Sequence, residues 1–576
     1  MGFRLYAAAI WVGLLVGGPV AGQEQDPAKR IIASIVAGEK QFLAKLEAFH
    51  PVLETYIQEY DGVSGAGSSP IRDHYLMGRL NLSTGVDVDI ITMSTRFQKP
   101  PLKRKLVPLL LLQPPEPAGD RPRDYEKSQG SHPKNALSLM PSGWAWMVIP
   151  DRNLFDTETY NFAYSRREFL GEVRCLVFEV SPREKKSEGR FLGTIWVDDE
   201  DFRIVRFNGI YTGSRSSRRF FHFDSWRFNA APHLWVPSFI YVEEMDENGT
   251  RSPRPRIKAQ TRLWGYQGVR SGKLDELSDL QIESQAPVLD KSGSGDLTPA
   301  EGQEMWERQA EQNVIRRLEK SSLLAPTGDV DGVLNTVVNN LIATNNLDLD
   351  VHCRVLLTTP FETFSIGHTI VISRGLLDVL PDEASLATVL AEELAHIALG
   401  HRTATKYAFG DQIMFNDGAL IQRIRLALSP QEMEAAAAKA IQILANSPYR
   451  DKLGNAGLFL KALQGRVASL PNLVLANLGN QFASETNIRQ LEEMAKKAPA
   501  GEQNKTEQLA ALPLGSRVKL DVWTNQISLL KAAAPTVLAS RDTMPFEVTP
   551  AAIHLTRIVM KGEGPAGSGE TPGSVK

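Results

Sequence analysis

The stretch Leu390 to His401, LAEELAHIALGH, decides how the rest of the chain is read. It lies in an apolar segment with the recurrence of a helix. Glu392 and His396 fall one turn apart on one face of that helix, with Glu393 beside them. Just upstream, Pro381 ends the preceding segment, and Asp382-Glu383 supply the acidic residues that favour a helix N-terminus. Further back, Val351 to Leu357 and Thr369 to Ser373 read as short apolar strands, and Arg374-Gly375-Leu376-Leu377 turns the second into a helix. Downstream, Pro430-Gln431-Glu432-Met433-Glu434 opens a helix running to about Leu444, whose alanine-rich run 435–440 lets a neighbouring helix pack closely.

Around this core the chain is long enough for about two to four domains at 576 residues. It is 42% hydrophobic and 23% charged, with 64 basic and 67 acidic residues and a net charge of -3. No basic stripe points to nucleic acid. Residues 1–22 read as a signal peptide: Arg4 is the positive start, Leu5 to Val16 the apolar run, and Val20-Ala21-Gly22 the small residues before a cut. The expected product is exported, periplasmic or extracellular, with no integral membrane span after cleavage. The apolar run is short for an uncleaved anchor, which is the alternative. Cys175 and Cys353, the only two cysteines, read as separate core residues, not a bridge.

The N-terminal half begins with a helical pattern over Lys29 to Tyr60 and then turns to strands. Strands are expected at Val86 to Ile90, Trp144 to Ile149, Glu172 to Val180, Phe191 to Val197, Phe202 to Phe207, Phe220 to Phe228 and Leu234 to Val242. Asp198-Asp199-Glu200-Asp201 makes the turn of a hairpin. The aromatic cluster from Phe220 to Phe228 suits the core of a twisted sheet as well as a ligand platform. His222, His233, His352 and His368 read as structural. Pro287 to Ala300 has linker composition, and Gly562 to Lys576 has the composition of a disordered tail. Helices are expected near Asn455 to Leu463 and Glu485 to Lys497, a break at Pro499 to Gln503, and a last ordered strand ending near Val559.

Glu392-Glu393-Leu394-Ala395-His396 is one substitution away from His-Glu-x-x-His. In that pattern the two i, i+4 histidines bind zinc and the glutamate deprotonates a bound water. A third protein ligand comes from elsewhere, and the fourth position stays open. With these stretches, residues 331 to 445 resemble the M48 family of zinc metallopeptidases, the CAAX prenyl protease and HtpX group. The resemblance rests on IVISRGLL (370–377), LATVLAEELAHIALGH (386–401) and EAAAA (434–438). It implies His396 as a zinc ligand, Glu434 as the third ligand and Glu393 as the catalytic general base, with Glu392 in the place of the first histidine. Ala438 stands where an aspartate would support the ligands, and Phe361-Glu362-Thr363-Phe364-Ser365 replaces the substrate-binding edge pattern. FLGTIWVDDEDFRIVRFNG (191–209) resembles the hairpins of the outer-membrane lipoprotein carrier (LolA-like) superfamily, which implies a concave sheet able to hold apolar cargo or pack on a partner. The other reading is a structural sheet without a ligand.

The expected fold class is therefore multidomain α+β. An N-terminal curved antiparallel β-sheet domain (29–286) and a linker (287–300) precede a mainly helical, zincin-like metallopeptidase domain with a small β edge (301–500). A small β-rich or mixed module (508–560) and a disordered tail (561–576) follow. Glu392, His396 and Glu434 form a conceivable metal set for Zn2+, but two carboxylates make the metal a poorer Lewis acid and relax its preference toward manganese or iron. The missing support at Ala438 removes an interaction worth about 10–100-fold in affinity or activity. Without metal, Glu392, Glu393 and Glu434 would crowd like charges, so that one or more rises in pKa or turns to solvent. His401 is expected on roughly the opposite face from Glu392 if the helix continues, as a C-terminal histidine favoured by the dipole. The function expected is an exported metalloendopeptidase-like hydrolase, acting on polypeptide, whose metal-dependent cleavage is weakened or lost through Glu392. The alternative is a non-catalytic envelope scaffold, or a polypeptide- or lipid-binding protein, that retains the fold and works with another envelope protein.

Overall fold

Helix α1 (Pro27–Leu46) leads into strand β1 (Val52–Tyr60) across Pro51, which lacks the N–H a continuing helix would need. The computed structural model describes residues 27–60, 70–82, 86–94, 145–184, 189–212, 220–245, 256–266, 299–402, 426–480, 518–520, 526–529, 546–550 and 553–558. The helical span expected over Lys29 to Tyr60 is thus divided in two. Val52–Tyr60 is buried along nearly its whole length, so it lacks the alternation that marks a half-exposed strand.

Among the described residues ten strands make one antiparallel sheet. After β1 come β2 (Pro70–Asn81), β3 (Asp87–Ser94), β4 (Tyr160–Leu170), β5 (Val173–Pro182), β6 (Phe191–Asp198), β7 (Ile204–Tyr211), β8 (Phe220–Ala231), β9 (Leu234–Met245) and β10 (Ile257–Trp264). Their order is β3-β2-β1-β10-β9-β8-β7-β6-β5-β4, so β10 returns to close against β1. The expected hairpin is present, with Phe191 opposite Tyr211 and Trp196 opposite Arg206. Trp146–Val148, expected within a strand, is a single 3-10 turn instead. Its carbonyl neighbours explain the difference: the Tyr211 hydroxyl donates to the Trp146 and Ile149 oxygens at 2.9 and 2.5 Å. Those bonds hold the segment across the sheet and not along it. Trp144, the remaining part of that expectation, lies outside the described residues, as do Glu485 to Gln503, Val559 and the signal segment.

One face of the sheet is apolar. Phe191, Phe207 and Phe223, on β6, β7 and β8, are fully buried and meet edge-on, with centroids 5.7 and 5.8 Å apart across Phe207. Helix α1 covers this face. Its Glu39 forms a two-point ion pair with Arg227 of β8 at 2.8 and 2.6 Å, and the guanidinium lies 4.0 Å over the Phe42 ring. Cys175 and Cys353 are both buried and unpaired.

The opposite face meets the helical region, whose elements are α2 (Pro299–Lys320), α3 (Asp329–Thr344), β11 (His352–Leu356), β12 (Thr363–Ile366), β13 (Thr369–Ser373), α4 (Arg374–Val379), α5 (Glu383–Ala398), α6 (Pro430–Ala445), α7 (Leu453–Val467) and α8 (Pro471–Val474). A three-stranded sheet has the order β11-β13-β12, with β11 parallel and β12 antiparallel to β13. Two short strands, β14 (Val518–Leu520) and β15 (Ile527–Leu529), pair beside it. The large antiparallel sheet followed by a mostly helical region with small β elements is the expected architecture.

The apolar core runs through both regions, and buried polar contacts join them within it. Glu54 of β1 accepts from the Thr359 amide and hydroxyl at 2.7 and 2.6 Å and from Tyr75 at 2.8 Å. Asp73 of β2 accepts from the Asn472 and Leu473 amides at 3.1 and 2.8 Å, from the Asn472 side chain at 3.0 Å and from Tyr56. The C-terminal residues cross the same sheet: Gln58 donates to the Phe546 carbonyl at 2.6 Å, and the Ile558 amide donates to Asn229 at 2.7 Å.

Burial pushes the Asp73 carboxyl up to about 6 against the pull of its donors. A carboxyl raised in the folded state stabilises fully below its unfolded value of 3.8, and that contribution is lost as pH rises through about 6. Between pH 4 and 7 the wild type should therefore lose about 2 kcal/mol relative to Asp73→Asn, read as the gap between their unfolding curves at each pH. A gap independent of pH would refute this.

Candidate functional site

Ser373 closes β13 and caps α4, its hydroxyl accepting from the Leu376 amide at 3.2 Å and from the Glu362 amide at 3.0 Å. Asp382 then caps α5 by accepting from the Ser385 amide at 2.8 Å. This start fixes the rotation of α5, so that Glu393 and His396 point inward, 1% and 0% exposed, while Glu392 is half-buried.

The Glu393 carboxylate faces the edge strand β12. Thr363 and Ser365 of that strand hydrogen-bond to it, and the Asn480 side-chain amide donates to its two oxygens at 3.1 and 3.4 Å. Burial pushes the carboxyl up to about 7, and these bonds oppose the rise only in part. The Glu393 carboxyl is raised, but the cause is desolvation and not the crowding expected: neither Glu392 nor Glu434 contributes to the rise, and Glu434 is exposed.

The outer edge of β12 is covered by the chain itself. The Asn480 amide donates to the Thr363 carbonyl at 2.8 Å, and the Asn477, Leu478 and Gly479 amides converge on the Glu362 carboxylate at 2.7 to 3.3 Å. Gly479 is needed for so close an approach, because a Cβ there would lie 2.2 Å from the Thr363 oxygen.

Helix α5 stops sooner than expected. Gly400, at φ +72°, ends it: the Gly400 amide donates to the Ile397 carbonyl and the His401 amide to the His396 carbonyl, both at 3.0 Å. His401 is thereby folded back, and its Nδ1 lies 3.0 Å from the His396 Nδ1. The opposite-face placement expected for His401 is corrected for this reason. Burial, aided by His401, holds the His396 imidazole down at about 4.

Helix α6 packs on α5. Its Glu434 and Ala438 lie on the exposed side, whereas Ala436, Ala437 and Ala440 are buried. Glu432, two residues earlier, feels the charge of both histidines but is engaged at the cap of α6, accepting from the Ser429 amide and hydroxyl at 2.8 and 2.7 Å. One atom suits a metal: His396 Nε2 is buried and has no hydrogen-bond partner. The remaining donors do not join it, because among the described residues no three His, Cys, Asp or Glu side chains are placed to hold an ion. A three-ligand zinc centre is not met by these residues as they stand.

The sequence places Thr363 and Ser365 on the edge segment but shows neither their bonds to Glu393, nor Asn480, nor the bracing role of Glu362. A charged residue inside the apolar 361–366 stretch was the available signal for Glu362. Nothing local marks Asn480, which reaches Glu393 from 87 residues away.

The fold and site together describe a helix whose buried Glu393 faces a short edge strand, in a mostly helical region packed on a large antiparallel sheet. Residues 333–450 match the family described as Peptidase family M48. No curated protein matches the chain. Among solved structures the chain is similar to a LolA superfamily protein from Nitrosomonas europaea, at 13% identity over 41% of this chain and 91% of that one, with a TM-score of 0.19. It is also similar to a DUF1329 family protein from Desulfovibrio piger, at 14% identity, 45% and 100% coverage and a TM-score of 0.21. No helix of the described residues is long and apolar enough to cross a membrane.

The back-fold of His401 depends on a left-handed residue at 400, where an added Cβ would meet nothing within 4 Å. Gly400→Ala should therefore cost only the backbone strain, about 1–2 kcal/mol, and shift the His396 ring resonances, while Gly400→Asn costs less. Thermal unfolding and histidine NMR check this; equal stability of all three proteins would disprove it.

Proposed function

We propose that the chain is a non-catalytic protein of the cell envelope that retains an M48-like fold as a scaffold, with its cleft taken up by its own residues 477–480. Asn480 carries this reading. A peptide to be cleaved would pair its backbone with the free edge of β12 and leave the general-base carboxylate open to water. Here the Asn480 amide pairs with Thr363, and the Asn480 side chain donates to Glu393. One segment thus engages both groups that hydrolysis would need. The exposure of Glu434 supports the same reading, since the third zinc ligand implied by the resemblance points to solvent. Exported localisation, an envelope-protein partner and a scaffold role for the large sheet belong to this proposal.

The test is metal analysis and proteolysis on the purified chain, beside Glu393→Gln, Glu392→His and Gly479→Ala. The expected wild type holds well under one zinc per chain and shows no chelator-sensitive hydrolysis of an unfolded protein substrate. Glu393→Gln should match it in both. One zinc per chain together with hydrolysis abolished by Glu393→Gln would overturn the proposal. Hydrolysis that appears only in Gly479→Ala would also overturn it, by identifying a latent peptidase held shut.

A further inference from the structure

The C-terminal stretches 546–550 and 553–558 contain no helix or strand, yet they lie on the large sheet in the manner of a bound peptide. The Gln58 side-chain amide of β1 brackets the first stretch. Its nitrogen donates to the Phe546 carbonyl at 2.6 Å, and its oxygen accepts from the Val548 amide at 2.8 Å. The second stretch is held at the turn ends of the strands. There the Leu555 carbonyl accepts from the Glu172 amide at 2.9 Å, and the Ile558 amide donates to Asn229 at 2.7 Å. Gly171, at φ +68°, leaves room for this approach, since a Cβ there would stand 2.5 Å from the Leu555 oxygen. Phe546, Val548 and Leu555 are buried, Glu547 pairs with Lys258, and Arg557 pairs with both Asp198 and Glu200. A groove takes an extended peptide by these means, with backbone bonds for affinity and side-chain seats for specificity.

The strain of this arm lies at its entry. Phe546 has φ +61°, a left-handed conformation that a bulky side chain adopts only under constraint. That torsion is set by how the chain arrives from residue 545, and the bonds that seat the arm do not depend on it. Residues 530–545 separate the arm from β15 in the sequence, a length that spans at most about 55 Å. The arm of a second copy makes the same contacts and is not bound to the same entry. Each entry relieved favours exchange about 5–30-fold, and a pair of copies relieves two. Against this stands the advantage of the resident arm, an effective concentration on the order of millimolar for a short link. The two terms are close enough for exchange to occur at ordinary protein concentrations.

We propose that the arm 546–558 exchanges between copies. The face of the sheet that receives it is a docking groove, and its partner is the same arm of a second copy, which gives a two-fold dimer.

Light scattering on the full chain at rising concentration tests the dimer. Fluorescence anisotropy of a labelled synthetic peptide of residues 546–558, titrated with the full chain, tests the groove. A reversible dimer is expected, together with saturable binding of the peptide, which should disperse the dimer. Arg557→Gln in the chain weakens the resident arm and leaves the groove as it is, so the peptide should bind about tenfold more tightly. The same substitution in the peptide should weaken its binding to the wild-type chain by a similar factor. The two shifts have opposite signs, which a strap that merely staples the fold would not produce. Such a strap would lower the melting temperature in Arg557→Gln and leave the peptide unbound, and that result would overturn the proposal. Peptide binding unmoved by either substitution, or a chain that stays monomeric at every concentration, would overturn it equally.

Discussion

Buried carboxylates that accept amide hydrogens from remote segments set how the two regions of this molecule are placed on each other. A carboxylate taken out of water is tolerated only when its oxygens are met by donors, and this chain repeats that solution at each joint. Glu54 is met by Thr359, 305 residues on, and Asp73 by Asn472 and Leu473, 399 and 400 residues on. Asp378 accepts from the Val518 amide at 2.8 Å, which ties the short β14–β15 pair to helix α4. None of these contacts forms until both partners are in place. The two halves share one apolar core, and specific oxygens and amides within it fix their register.

The same device shapes the candidate site. Glu362 collects three successive amides from 477–479 and so lays the segment along β12. That placement brings Asn480 to Glu393. The Glu393 carboxylate there is surrounded by Thr363, Ser365 and Asn480. The C-terminal cap of α5 acts in parallel, for Gly400 folds His401 back so that it meets His396.

Much of this could be read in the sequence, and the rest could not for physical reasons. The strands at 191–197, 220–228 and 234–242, the turn at 198–201 and the helix around Glu393 follow from local pattern, and local pattern produced them. Strand β1 escaped because it is buried on both sides and carries no alternation. The 146–148 turn escaped because its apolar run resembles a strand, while its conformation is set by a hydroxyl on Tyr211. At the site, the burial of Glu393 and His396 was implicit in the apolar frame of α5. The position of Glu434 was not, since whether residue 432 or 434 faces α5 depends on how the Ser429 cap rotates α6. Asn480 was beyond reach altogether, because only tertiary folding brings it to Glu393.

Two departures in this region are physically linked. In a zinc site the general base is stabilised by the metal and its water, and those are what justify a carboxylate in so buried a place. Glu392 in the position of the first histidine weakens that arrangement, yet Glu393 remains 1% exposed. A carboxylate left there without donors would be costly, and the Asn480 amide, held in register by Glu362 and admitted by Gly479, supplies them. Changing the first ligand alone would not reopen the cleft, because the segment is fastened at Glu362 and at the Thr363 carbonyl as well as at Glu393. On the reading proposed above, the altered ligand and the occupied edge belong together, with donors from the chain standing where the family resemblance implies a metal-bound water.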